Sequence, residues 1–412
     1  MALVDIDPAA LRVAERLARK MIAGRSSRLR LSATTDRRAA LPGATAVIGT
    51  IAVGGRRAWE ADVFIPRTHG VFQPVGDTVM AGGASRALRM IPAMVAIARD
   101  VLELAPTALF FNYANPMGPI CRAVRKATGA HMIGLCHGVN HVASYLASAL
   151  ACAQERFAYS AVGLNHLTWF VEAAVDGADA APRLRAIADE RARTDDQPFS
   201  WNLCRLFGAF PSACDRHVVE FFPHLVPGGE YRGKRLGIDA FSFEGTIAGG
   251  DAGYAEMTAL ANDPAPLPES FFAAFGGEHE QVVQIIADIR GDRRSVYSAN
   301  MPNRGQVRGL PEDAILESPC VTDGATLRPI AQAPLSPGII ATIAKQLAWT
   351  ECVVDAALTG DRALFIQALA LDGTLPSLDA AAALADDLLR AQAAHLPQFT
   401  TAAPETAALA AR

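Results

Sequence analysis

The chain has 412 residues, 51% of them hydrophobic and 19% charged, which describes a globular protein with room for two sizeable cores and excludes a disordered one. A formal net charge of −4 gives no electrostatic reason to expect nucleic acid or an anionic membrane as partner. Seven cysteines, odd in number and without short-range pairs, fit a reducing compartment better than a disulfide framework.

The opening "MALVDIDPAALR" carries acids where a secretory leader needs basic residues, and no apolar run reaches about eighteen residues. The cytoplasm is therefore the expected location. "ALVD" reads as a short strand ending in Asp5. "DPAALRVAERLARKMI" reads as a helix with Asp7 as N-cap and Pro8 at its first position. "ATAVIGTIAV" (44–53) is a second strand, and "ASRALRMIPAMVAIARDVLEL" (84–104) is a long amphipathic helix behind Gly82 and Gly83. "TALFFNYANP", "HMIGLC" and "SAVGLNH" are three further strand-like runs separated by helical segments. This alternation predicts an α/β fold with a doubly wound, mostly parallel sheet.

From about residue 170 the pattern loosens. Residues 210–330 read as an α+β region in which "VVQIIADI" and "SVYSAN" are strands. Helical periodicity returns from "SPGIIATIAKQLAWTECVVDAAL" and includes the Ala-rich "LDAAAALADDLLRAQAAHL". The final "TAAPETAALAAR" reads as a loosely held tail.

Asp5 ends a strand and is placed to hold a ribose hydroxyl, as the acid of a dinucleotide fold does. The Gly-rich phosphate loop belongs roughly 20 residues earlier, and only four residues precede Asp5. "GGRR" (54–57) and "AGGAS" (81–85) follow no suitable strand. Either an N-terminal Gly-rich strand and loop is missing from this chain, or this is not a cofactor domain.

Three predicted strand ends carry chemistry: Asn112 and Asn115 in "FNYANPMG", Cys136 and His137 in "GLCHG", and Asn165 and His166 in "GLNHLTWF". Carboxyl ends of parallel strands at a switch point share one crevice, where a thiolate from Cys136 and an imidazole from His166 could meet on a divalent metal. Two protein ligands would leave positions open for a substrate chelating through hydroxyls. Core packing for the thiol and a satisfied hydrogen bond for the imidazole are the competing roles. On ligand softness alone the metal would be zinc.

Taken together these stretches resemble glycoside hydrolase family 4. "LVDID", "GDTVMAGGASRALRMIP", "NYANPMG", "GLCHG", "GLNHLTWF", "DRHVVEFFP" and "MPNRGQVRGLPEDAILESP" run in family order from residue 3 to about 320. The resemblance implies a lactate/malate dehydrogenase-like fold, with a Rossmann-like NAD-binding domain over 1–160, N-terminally incomplete, and a C-terminal α+β domain with terminal helices over 161–412. It also implies hydrolysis by a redox route. NAD takes hydride from the sugar's C3, a base removes the acidified C2 proton, the glycosidic bond breaks by elimination, water adds and the hydride returns. A metal bridging the C2 and C3 oxygens polarises the ketone.

Carried onto this chain, the resemblance makes Cys136 and His166 the ligands of Mn²⁺ and Asn115 a substrate contact beside the nicotinamide. Asn165 shares that contact or ties the loop. His137 is the candidate acid for the leaving group, an imidazole being suited to proton transfer near neutral pH, and a sugar-binding role is its alternative. Asp215 in "DRH" is the candidate base at C2, a helix cap or a ligand to a sugar hydroxyl being the alternatives. Asp77 tunes the base, orients the nicotinamide or caps its loop. "CHGV" resembles the α-glucuronidases more than the Cys-His-Ser pattern of α-galactosidases and α-galacturonidases. The expected substrate is an α-linked hexuronic acid glycoside, its carboxylate received by one of Arg86, Arg89, Arg216 or Arg304. The family also suggests a homodimer or homotetramer. An NAD-dependent 2-hydroxy acid dehydrogenase and a non-catalytic sugar-binding remnant are the rival readings.

Overall fold

The computed structural model describes residues 1–273 and 281–400. Its first helix, Pro8–Gly24, begins where Asp7 accepts the Ala9 amide at 2.7 Å, as the Asp-Pro pair predicts. The expected tail (401–412) lies outside the described residues.

Strands β1 (Ala2–Val4) and β2 (Ser32–Thr34) pair in parallel as a sheet of their own. The main sheet takes β3 (Ala46–Gly49), β4 (Leu109–Asn112), β5 (Met132–Gly134), β6 (Phe157–Leu164), β7 (Leu167–Val175), β8 (Ala178–Asp179) and β9 (Phe210–Pro211). A separate small hairpin, β10 (Glu230–Tyr231) and β11 (Lys234–Arg235), precedes the last main-sheet strands, β12 (Val296–Pro302), β13 (Ile315–Thr322) and β14 (Leu327–Pro329). The main sheet runs β3-β4-β5-β12-β13-β6-β7-β8, with β9 on β7 and β14 on β13. It is parallel only across β3, β4 and β5, and every later pairing is antiparallel. The sheet does not stop at residue 160. β12 and β13, from far along the chain, are inserted between β5 and β6.

One predicted strand is a helix. "VVQIIADI" forms Val282–Arg290, burying Val282, Ile285 and Ile289 on one face. A short, mostly apolar run suits either state, and here the helical spacing of those three decides.

The long helix Met80–Leu104 starts four residues before its predicted first residue, so Gly82 and Gly83 lie in its first turn. It is buried along most of its length, packing with the helices Met117–Thr128, Pro337–Thr359, Arg362–Leu371 and Leu378–Ala391 in the largest core. That core holds an ion pair: Arg89 donates to both oxygens of Asp62 at 2.8 and 2.5 Å, with Ser85 and Gln392 also donating to the same carboxylate. Four donors on one buried carboxylate match the rule that interior charges survive only when paired. Among the described residues no helix is long and apolar enough to cross a membrane, and all seven cysteines are free.

Candidate active site

The loop before the long helix carries Asp77 and Thr78, and it is held from three sides. A Cβ on Gly83 would lie 2.4 Å from the Thr78 carbonyl carbon, and one on Gly82 2.7 Å from the Gly76 oxygen, so only glycine lets the loop close on the helix. Gln73 accepts from the Gly82 amide and donates to the Val79 carbonyl. Glu220 accepts the Val75 and Gly76 amides, both at 2.9 Å.

His166 comes from a different element than predicted. Asn165 and His166 form the two-residue turn between β6 and β7, with His166 in the left-handed region at φ 66°. Such backbone costs about 1 kcal/mol for a residue with a Cβ and is kept where it aims a side chain. Here it brings the ring to Thr78, whose Oγ lies 2.8 Å from His166 Nδ1 and donates to Asp77 Oδ1 at 2.6 Å. The single hydroxyl proton is used on Asp77, so Nδ1 of His166 must be the donor and Nε2 keeps its lone pair.

His217 stacks obliquely on His166 with ring centroids 4.1 Å apart. Asp77, His166 and His217 each present one ligand atom, and these atoms all lie within 4.8 Å of one another. Burial pushes the Asp77 carboxyl up, but His166, His217, Arg86 and the Thr78 hydroxyl outweigh it and hold it at about 2. Burial keeps the His166 imidazole below its ordinary range and takes His217 down to about 3. The result is an ionised carboxylate beside two neutral imidazoles, a donor set suited to a divalent cation.

Cys136 lies beside this trio, not within it. Its Sγ accepts the Gly138 amide at 3.4 Å, and Asn165 and Asp77 are both close enough to influence the thiol. Burial and the charge of Glu317 push the thiol up to about 12. Glu317 is itself buried on β13, where burial raises its carboxyl to about 7 against the Thr168 and Ser298 hydroxyls. Asn115 donates to Asp77 Oδ2 at 3.0 Å, and its carbonyl accepts from Arg86 Nε at 3.0 Å. His137 is exposed, immediately before the helix Gly138–Ala149.

Two expected residues stand apart. Asp5 is exposed at the end of β1 and accepts the Asp7 amide at 2.8 Å. Asp215, expected as the base, is fully buried and engaged on both oxygens, by the Phe199 and Ser200 amides at 2.8 and 2.7 Å and the Tyr231 hydroxyl at 2.6 Å. It anchors the start of the helix Pro198–Phe207, with three of the carboxylate's roughly four acceptor positions taken.

A family model described as family 4 glycosyl hydrolase matches residues 1–152, and one for the C-terminal domain of the same family matches 161–375. This chain belongs to the family 4 glycosyl hydrolases. It is 29% identical to an α-galactosidase of Rhizobium meliloti (strain 1021) over 97% of this chain and 84% of the relative. It is 30% identical to an α-galacturonidase of Bacillus subtilis (strain 168) over 84% of this chain and 81% of the relative. The fold matches a 6-phospho-β-glucosidase of Thermotoga maritima, solved with manganese, NAD⁺ and glucose 6-phosphate, at TM-score 0.79, covering 96% of this chain and 91% of that one at 20% identity. The protein is therefore a glycoside hydrolase on a Rossmann-like scaffold.

This hydrolase places more donors together than its sequence suggests. His217 belongs with His166 and Asp77, Thr78 fixes the His166 tautomer, and Glu317 faces Cys136. The Cys-His-Gly and Asn-His motifs mark two corners of the site. Nothing local to Thr78 or Glu317 marks the others.

Proposed function

We propose that this family 4 hydrolase cleaves α-linked hexuronic acid glycosides with NAD and Mn²⁺. The observation that carries the metal half is the donor trio Asp77, His166 and His217, with the lone pair of His166 Nε2 freed by Thr78 and the Cys136 thiol alongside. The residues fit the ion: carboxylate and imidazole donors suit Mn²⁺, while the thiol must lose its proton to join them. For NAD, Asp5 offers an exposed carboxylate at the end of β1, and Asn115 and Asp77 form a polar pair beside the donors. Gly82 and Gly83 are not a phosphate cradle, since their missing Cβ atoms make room for the chain's own loop. The Mn²⁺ and NAD⁺ in the Thermotoga maritima structure support the same pair of cofactors here.

When bound, NAD supplies a hydride acceptor at C3 and the metal draws electron density from the neighbouring oxygens. The chain's own residues do the rest of the work. Thr78 orients His166, and Asp77 adds a fixed negative charge that holds Asn115 in place. His137, exposed beside Cys136, delivers a proton to the departing glycosidic oxygen. Asn165, beside Cys136 and Glu317, meets the sugar hydroxyls with its amide. Asp215 acts as a positioning residue through the Tyr231 hydroxyl and the helix it caps.

The uronic acid assignment is supported by the Cys136-His137-Gly138 sequence and by the α-galacturonidase relative. An α-galactoside is the second reading, supported by the Rhizobium meliloti relative. Seven free cysteines support a reducing, cytoplasmic setting. A homo-oligomer is proposed on the family resemblance alone.

The test is turnover of aryl α-glucuronide, α-galacturonide and α-galactoside with NAD⁺, Mn²⁺ and a thiol reductant. Cleavage of a uronide, with solvent deuterium appearing at C2 of the product, is the expected result. Hydrolysis that persists after exhaustive NAD removal, or cleavage of the galactoside alone, overturns the proposal.

A further inference from the structure

Buried polar atoms without partners concentrate around the donor trio. Arg216 contributes its Nε, His217 its Nδ1 and Glu220 its Oε2. These three fall within five residues, on the helix Cys214–Val218 and the turn Val219–Phe221 that continues it. Leaving one such atom dry costs about 1–3 kcal/mol, and more when the group is charged. A cluster of them at a site points to a ligand that supplies the missing bonds.

The four arginines that could receive a carboxylate now separate. Arg89 is spent on Asp62, with its Nε on the Val53 carbonyl. Arg304 pairs with Asp313 at 3.1 Å and is 57% exposed. Arg86 uses its Nε on the Asn115 carbonyl and lies in the field of Asp77. Neither Arg86 nor Arg216 has an ion pair among the described residues, but the Nε of Arg216 is buried without a partner; its one hydrogen bond runs from Nη2 to the Thr246 hydroxyl at 2.8 Å, and it lies beside the unpartnered atoms of His217 and Glu220.

Glu220 is close enough for its charge and that of Arg216 to interact, yet the two are not bonded. Glu220 gives Oε1 to the Val75 and Gly76 amides and keeps Oε2 free. It also lines a cavity of about 150 Å³ with Val71, Phe72, Met80 and Leu236. A half-buried guanidinium with a buried, unpartnered Nε and no bond to the acid beside it is a vacant half of a charge-assisted pair.

We propose that Arg216 is the specificity residue that receives the C6 carboxylate of the uronic acid, with Glu220 Oε2 taking one of its hydroxyls. This rests on the uronide reading of the site. It makes the discrimination electrostatic: a neutral hexoside brings no anion, and the guanidinium stays unpaired.

Arg216→Gln and Arg216→Lys test the proposal in two measurements. In the first, kcat and KM are compared on aryl α-glucuronide and aryl α-galactoside. Arg216→Gln should lower kcat/KM for the uronide by about 100-fold, mainly through KM, with Arg216→Lys recovering part of the loss and the galactoside rate barely moved. In the second, D-glucuronate and D-glucose are added to the Mn²⁺-loaded protein without NAD, and thermal stabilisation is read. Glucuronate should stabilise the wild type and not Arg216→Gln, while glucose distinguishes neither protein. Equal loss on charged and neutral substrates, or glucuronate stabilisation unchanged in Arg216→Gln, overturns the proposal. Should the wild type cleave no uronide yet lose glucuronate stabilisation on Arg216→Gln, the uronide activity fails and the carboxylate site stands.

Discussion

Glu220→Gln should change how stability depends on pH. Glu220 is 3% exposed, accepts two backbone amides on Oε1 and has nothing on Oε2. Burial is the largest influence on its carboxyl, and with the charge of Asp77 it outweighs the two amides and Arg216, raising the group from 4.5 to about 8. A folded value above the unfolded one means that the contribution is complete below about 4.5 and is lost as pH climbs towards 8, because the unfolded chain releases its proton first. Between pH 5.5 and 7.5 the loss is about 1.4 kcal/mol per pH unit, or about 3 kcal/mol. Glutamine still accepts both amides through its oxygen and cannot ionise. Urea unfolding of the two proteins at both pH values should therefore show Glu220→Gln gaining about 2–3 kcal/mol on the wild type as pH rises. Parallel curves would mean that Glu220 is already ionised in the folded protein, with Arg216 as its counterion, and the reasoning would be refuted.

Three further outcomes are expected. Thr78→Val removes the hydroxyl that fixes the His166 tautomer, and Mn²⁺ affinity read by electron paramagnetic resonance should fall about 10–100-fold; unchanged affinity would show that the tautomer is set elsewhere. Gly83→Ala drives a methyl against the Thr78 carbonyl carbon, which should cost about 1–3 kcal/mol in unfolding and weaken Mn²⁺ binding in the same variant. A loss of stability with normal metal binding would separate the loop's packing from the site. Arg89→Met leaves Asp62 buried without its cation and should cost about 3–5 kcal/mol, most of it recovered when Asp62→Asn is added. Additive single effects in denaturant would show that the pair is not coupled.

Much of the fold was legible because the signals were local. Asp7 and Pro8 mark a helix start, and the Cys-His-Gly and Asn-His motifs mark two sides of the site. The run at 282–289 was ambiguous by nature, since a short, mostly apolar run suits strand or helix until a neighbour chooses a face. His166 lies in a hairpin turn and not at the end of a parallel strand, because the antiparallel pairing of β6 with β7 is settled by contacts that no window around residue 166 contains. Glu317 comes near enough to act on Cys136 only because β12 and β13 enter the sheet beside β5, bringing together residues far apart in sequence. Asp215 shows what a motif leaves out: position in "DRH" suggests a base, and only the fold shows the three hydrogen bonds that tie the same carboxylate to Phe199, Ser200 and Tyr231.

The interleaving of late strands among early ones bears on how such an enzyme can breathe. Two halves that merely touched could swing apart about a connecting segment. Here the seam is a row of backbone hydrogen bonds running from β5 through β12 and β13 to β6, and opening it would tear the platform on which thiol and imidazole are mounted. Admission of sugar and escape of product must then fall to peripheral loops, with the central framework standing still through every turnover.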